Sequence, residues 1–177
     1  CGNGGNLTAL LISLLRMKKR KMINFLPNII VAQTKGANTL FRWAKSQFKI
    51  YEPGSFKDTV ASAMNIQNPV SFPRIKKLYK NFRIEFFDVE EQNIQKTRAL
   101  FMMGGANICP QTAVALHAIL QAREKNIVKE KDMIVAIGTA SGIKFAESGI
   151  NHHLKGDPQD FANPYKIING TIEGIEK

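Results

Sequence analysis

What most constrains this chain is its alternation between short apolar runs and segments with helical spacing. Ile29, Ile30, Val31 and Ala32 follow Pro27 and Asn28 as a near-continuous apolar run. Such runs belong to strands buried on both faces, as in parallel sheets. Residues 83–89 and 133–137 read as two further strands. Between them the periodicity changes. Leu7, Leu10, Leu11, Leu14 and Leu15 mark one face of a helix that starts near Leu7, with Asn6 as its cap. Residues 39–46 predict a short helix, and residues 60–64 a helical piece inside the loop-rich stretch 48–72. Pro73 opens a helix that runs to about Tyr79. Residues 90–103 predict a helix stopped by Gly104 and Gly105. A mostly apolar helix follows over 112–124, and another begins near Lys144. Residues 156–177 read as a polar, proline-containing tail with a weakly amphipathic end. Strands alternating with helices predict an α/β layered fold with a mainly parallel sheet. Ligands of such sheets bind beyond the carboxyl ends of the strands. That rule points to the glycine-bearing turn after Ile137.

Several function classes are disfavoured before any motif is weighed. The 177 residues suffice for one domain with a core, and 44% apolar with 22% charged residues is ordinary globular composition. No apolar run approaches the ~20 residues needed to span a bilayer. The longest candidate, residues 7–15, runs into the basic cluster Arg16, Lys18, Lys19, Arg20 and Lys21. A secretory signal has the opposite order. Cys1 and Cys109 are the only cysteines, which gives neither a zinc spacing nor a disulfide framework. A reduced, intracellular compartment is the default, with no metal expected. The net charge is +11, but the lysines are spread along the chain. The one tight cluster falls at a helix end, where cations complement the negative pole. Neither a nucleic-acid module nor a stacking stripe of aromatics accompanies it. No nucleic-acid or membrane partner is expected. The sequence opens inside a glycine-rich motif without an initiator Met. A fragment, a split gene or a trimmed chain is the corresponding expectation.

Two segments could carry chemistry. Gly2-Asn3-Gly4-Gly5-Asn6 directly precedes a helix. Glycines let backbone amides approach an anion, and a helix N-terminus adds unpaired donors and a favourable dipole. The same residues also make plain turns, so on their own they leave a bare turn and a phosphate cradle equally open. Gly138-Thr139-Ala140-Ser141-Gly142 ends a strand and offers the hydroxyls of Thr139 and Ser141. On spacing alone it reads more simply as a strand-to-helix turn capped by Ser141. His117 reads as a packing residue of a buried helix, and His152 and His153 as surface or capping residues near a helix end. No Ser-His-Asp, Cys-His or paired-carboxylate set can be assembled.

Several segments, in order and with matching spacing, resemble threonine synthase, the plant-type branch above all. They are Gly2-Asn3-Gly4-Gly5-Asn6, Ile30-Val31-Ala32-Gln33 with Ala37-Asn38-Thr39-Leu40, and Thr59-Val60-Ala61-Ser62-Ala63-Met64-Asn65-Ile66 with Asn68-Pro69-Val70-Ser71. Further along come Ile108-Cys109-Pro110-Gln111-Thr112-Ala113-Val114-Ala115-Leu116, Gly138-Thr139-Ala140-Ser141-Gly142-Ile143-Lys144-Phe145 and Phe161-Ala162-Asn163-Pro164. The resemblance implies that residues 1–177 are the C-terminal, large-domain portion of a fold type II pyridoxal-phosphate enzyme, a three-layer sandwich. The intact parent would convert O-phosphohomoserine and water to threonine and phosphate. It implies that Gly2, Asn3, Gly4, Gly5 and Asn6 hold the phosphate of pyridoxal 5'-phosphate, and that Thr139 hydrogen-bonds its pyridine nitrogen. In this family the Schiff-base lysine lies upstream of the phosphate loop, so no catalytic residue is expected in this chain and turnover by the chain alone is not expected. A homodimeric parent is a further expectation. So is a cytoplasmic location, or a plastid in a plant-like source. Three departures stand out: Gln111 stands where the family usually has histidine, Ser141 where it often has histidine, and Cys1 where it commonly has Ser or Gly. The alternatives are a related lyase of the same fold, of ammonia-lyase or cysteate-synthase type, and an inactive basic interaction domain.

Overall fold

Six-residue strands β1 (Ile29–Thr34) and β2 (Ile84–Val89) pair in parallel, with Ile29 opposite Ile84 and Thr34 opposite Val89. The computed structural model describes residues 1–54 and 57–163. Alternation along the strands divides the core in two. Ile29, Val31, Ile84 and Phe86 face one side, while Ile30, Ala32, Phe87 and Val89 face the other. Both faces are covered, which is why the strands read as apolar runs and not as alternating ones.

The first face is covered by three helices: α1 (Gly5–Lys19), α2 (Thr39–Lys45) and α3 (Phe72–Leu78). Leu7 and Leu11 of α1, Leu40 and Trp43 of α2 and Ile75 of α3 join the strand residues there. Trp43 is 1% exposed and meets Phe48, Phe72 and Tyr79 edge-on, at 4.9, 5.0 and 5.0 Å between ring centroids. Such pairs add ~0.5–1.5 kcal/mol each beyond the area they bury. The second face is covered by α5 (Pro110–Glu124), backed by α4 (Glu91–Met103). Ala113, Val114, Ala118 and Ala122 of α5 are fully buried. Small residues at this spacing let a helix lie close on a sheet. The three layers are thus helices, sheet, helices, as expected.

The last described helix is α6 (Ala146–Lys155), preceded by a 3-10 turn over Gly142–Phe145. A second 3-10 turn, Pro158–Asp160, follows it. The predicted amphipathic end of the tail, and Pro164 of the tail motif, lie outside the described residues.

Four expectations need correction. Asn6 does not cap α1: the cap is Gly4, at φ 80°, and no side chain caps the helix. Residues 60–64 hold only the 3-10 turn Ser62–Met64. Helix α5 starts two residues early, at Pro110, where a proline's fixed φ and missing N–H suit the first turn. Residues 133–137 are not a strand. They run without a ladder partner, and Met133, Ile134, Val135 and Ile137 are 95%, 45%, 84% and 53% exposed. The sheet of the described residues holds β1 and β2 alone, so the apolar run has no neighbour to bond.

Candidate functional site

The opening loop runs beside the carboxyl half of β1. The backbone nitrogen of Cys1 donates to Ala32 O, and Gln33 Nε2 donates to Cys1 O at 3.2 Å. Gln33 is 1% exposed, and its Oε1 accepts the Phe41 N–H at 3.0 Å. One buried amide therefore ties the loop, β1 and α2 together. Asn3 is fixed from the other side. Its Oδ1 accepts the Val70 N–H at 2.8 Å, and its carbonyl accepts the Ser71 N–H at 3.3 Å. Asn3 is exposed, and its Nδ2 donor has no partner among the described residues. Gly4 is buried and left-handed, and a Cβ there would stand 2.7 Å from Ile75 Cδ1. Any other residue would meet both backbone strain and α3.

From Gly4 the chain enters α1. Its first backbone bond is Thr8 N–H to Gly4 O, at 2.9 Å, and Thr8 Oγ1 donates to the same oxygen at 2.8 Å. The N–H groups of Gly5, Asn6 and Leu7 precede that bond and have no helical acceptor. No acidic residue lies in the first turn, Gly5 and Asn6 are exposed, and a Cβ on Gly5 would meet open space. This is an uncapped helix N-terminus with a clear approach, the chemistry an anionic phosphate requires.

The second segment reaches the first through α5. A Cβ on Gly2 would touch Ala63 O and Met64 Cα at 2.8 and 3.1 Å, and Met64 shares a core with Ala113 and Val114. At the start of α5, Cys109 is the N-cap, its sulfur accepting the Thr112 N–H at 3.4 Å. Thr112 Oγ1 lies 3.1 Å from that sulfur and accepts the Thr139 N–H at 3.3 Å. Thr139 Oγ1 lies 3.7 Å from the sulfur, and Thr139 itself is exposed. Burial pushes the Cys109 thiol up, but hydrogen bonds to Thr112, Thr139 and the Ala140 backbone outweigh it and leave the pKa lowered. The bonds of Thr139 run to Cys109 and Thr112, not to the opening loop.

Ser141 caps the 3-10 turn, its Oγ accepting the Ile143 N–H at 3.3 Å, as the simpler reading of this turn has it. It also bridges Ile108. A Cβ on Gly142 would stand 2.7 Å from the backbone oxygen of Ile108, so a side chain there would force the backbone to shift. Arg98, 2% exposed, donates to Ile108 O at 3.1 Å, Gly142 O at 3.0 Å and Ser148 Oγ at 2.8 Å. Sequence reasoning missed this clamp. Its signal was the i, i+4 spacing from Ile94, which puts Arg98 on the buried stripe of α4. Gln111, where the resemblance leads one to expect histidine, has both amide atoms buried without a partner among the described residues. His117 Nδ1 is hydrogen-bonded to Thr97 Oγ1 at 2.9 Å, and His152 and His153 bond backbone groups at residues 160 and 163. None of the three joins the two segments.

A model of pyridoxal-phosphate dependent enzymes matches residues 1–140, which include the first segment and the second as far as Ala140. The chain belongs to that family. Its sequence is 33% identical over 155 residues to threonine synthase 2, chloroplastic, of Arabidopsis thaliana, covering 87% of this chain and 30% of that protein. It is 24% identical over 150 residues to the threonine synthase of Methanocaldococcus jannaschii, covering 84% and 37%. The fold matches the crystal structure of threonine synthase from Escherichia coli with a TM-score of 0.68 at 23% identity, over 99% of this chain and 36% of that one. The chain spans about a third of the length of these relatives. As a pyridoxal-phosphate family member it uses an anionic cofactor, and the free amides of Gly5, Asn6 and Leu7 fit that cofactor's phosphate.

Proposed function

We propose that this chain is the large-domain, cofactor-anchoring portion of a threonine synthase. The observation that carries the reading is the uncapped N-terminus of α1, open at Gly5 and free of acidic residues. There the N–H groups of Gly5, Asn6 and Leu7, together with Asn3 of the same loop, bind the phosphate of pyridoxal 5'-phosphate. Gly2 and Gly4 shape the loop: each lies where a side chain would strike its neighbours. Thr139 offers its hydroxyl to the pyridine nitrogen. A neutral hydroxyl partner does not enforce a protonated ring nitrogen.

When bound, the cofactor supplies an electron sink for carbanions formed on the substrate. The residues of this chain anchor and orient it. No lysine here is assigned a covalent role, and the 177-residue chain alone is expected to show no turnover. In the whole protein the substrate is O-phosphohomoserine, which with water gives threonine and phosphate. The exposed apolar run at residues 133–137 fits a segment covered by other parts of a longer protein. A homodimer and a plastid or cytoplasmic location belong to the same proposal. The plastid is favoured by the chloroplastic relative.

The test is phosphate release from O-phosphohomoserine by the full-length protein loaded with the cofactor. Release with one equivalent of threonine is expected. Cofactor binding without any phosphate release would overturn the threonine synthase reading and favour another lyase of the family.

A further inference from the structure

We propose that Cys109 and Thr112 are positioning residues that turn the Thr139 hydroxyl into an outward-facing hydrogen-bond donor. The inference rests on the assignment of Thr139 to the pyridine nitrogen made above.

The three side chains form a closed ring of polar atoms. Thr139 N–H donates to Thr112 Oγ1 at 3.3 Å, Thr112 Oγ1 lies 3.1 Å from Cys109 Sγ, and Cys109 Sγ lies 3.7 Å from Thr139 Oγ1. One direction is fixed, because a backbone N–H can only donate. The other two links each have a proton on both partners, and the thiol has only one to give, so three arrangements exist; the one in which both hydroxyls donate to the sulfur leaves the proton of the fully buried thiol without an acceptor, and the other two are opposite senses of the ring.

In the first sense Thr139 O–H donates to the sulfur and the thiol donates to Thr112 Oγ1. The Thr112 proton is then left without an acceptor in a residue that is 5% exposed. Thr139 would present only lone pairs to a ligand. In the second sense Thr112 O–H donates to the sulfur, and the thiol donates to Thr139 Oγ1. Every buried proton then has an acceptor, and the Thr139 O–H is left pointing out. Buried polar groups favour the sense that satisfies them. An unprotonated pyridine nitrogen, with a lone pair and no proton, selects the same sense.

The sulfur suits its place in this ring. Cys109 is fully buried at the N-cap of α5 and already accepts the Thr112 N–H at 3.4 Å. That donor, with the positive pole of the helix, favours a sulfur that accepts from Thr112. Thr139 needs such support, because residues 133–139 have no ladder partner among the described residues.

The test uses the full-length protein carrying this chain, titrated with pyridoxal 5'-phosphate. Its readouts are the dissociation constant and the absorption and fluorescence spectra of the bound cofactor. Thr139→Val tests the underlying reading: it should shift the spectra and weaken binding about tenfold. Cys109→Ala should shift the spectra in the same direction and weaken binding about threefold. Cys109→Ser, which keeps one donor and its acceptor sites, should restore the wild-type spectrum. Thr112→Val, similar in shape, should reproduce Cys109→Ala and serves in its place if the alanine variant does not fold. A spectral shift in Thr139→Val, with wild-type spectra in the Cys109→Ala or Thr112→Val variant, overturns the relay and leaves the Thr139 assignment standing. An unshifted Thr139→Val protein overturns both.

Discussion

The two glycine turns of this molecule are built by opposite means. The turn at residues 2–6 is set into the core. Gly4 abuts Ile75, Gln33 holds Cys1 from beneath, and β1 beside it is buried along most of its length. It offers backbone amides, and packing of the chain around it places them. The turn at residues 138–142 follows an exposed, unpaired run. Its position depends on polar side chains reaching across: Arg98, Cys109 and Thr112. It offers a side-chain hydroxyl. Apolar burial can therefore fix a backbone anion site with no specific side chain, whereas the hydroxyl site rests on a few directed bonds and can be undone one residue at a time.

The largest expected effect comes from removing the clamp. Arg98→Met leaves Ile108 O, Gly142 O and Ser148 Oγ without their charged donor. It should cost about 3 kcal/mol in urea unfolding, since hydrogen bonds to charged groups are the strong ones. Amide exchange should speed up at residues 138–142 while Thr8, whose N–H bonds Gly4 O beside the first turn, keeps its protection. A loss below about 0.5 kcal/mol would show that the second turn is held by something else.

A matched pair of valines sharpens the contrast. Val31 is 3% exposed in the sheet and Val135 is 84% exposed in the run before the second turn. In the isolated chain, Val31→Ala should cost about 2 kcal/mol by denaturant titration, through lost burial and a residual cavity. Val135→Ala should stay within about 0.5 kcal/mol. Equal costs would mean that residues 133–137 are packed and that the two regions are built alike.

The smallest effect is a pH dependence. Burial lowers the His117 pKa from its ordinary 6.5, with Glu124 opposing. A histidine with a depressed folded pKa binds its proton more readily in the unfolded chain. Its stabilisation is therefore complete above 6.5 and is lost as pH falls through the lower folded value. His117→Gln should flatten the stability profile in that window. An unchanged slope would place the titrating group elsewhere.

How much of this was legible in sequence follows from the same contrast. Both paired strands and the long helices α1, α4 and α5 were readable, because burial against a sheet writes itself as periodicity. Residues 133–137 carry the same apolar signal but have no partner strand among the described residues, and composition does not encode a neighbour. Residues 2–6 were readable only as an even choice between turn and cradle. The Gly4 contact with Ile75 and the open space at Gly5 are tertiary facts. Arg98 and the Cys109–Thr112 pair stayed hidden because their roles lie in contacts to residues far along the chain. Only the buried stripe of α4 hinted at the first.

The central claim is that the N-terminus of α1 binds the cofactor's phosphate. The most direct measurement is the ratio of affinities for pyridoxal 5'-phosphate and for pyridoxal, in the full-length protein and its Gly5→Asp variant. Gly5 has room for a side chain and lies at the first helical position, where a carboxylate favours the helix by about 0.5 kcal/mol. Folding should be unimpaired while the carboxylate repels the phosphate. The account predicts a strong preference for the phosphorylated form in the parent protein, reduced at least about tenfold by Gly5→Asp with pyridoxal binding unchanged. An unchanged preference in a folded Gly5→Asp protein would contradict it.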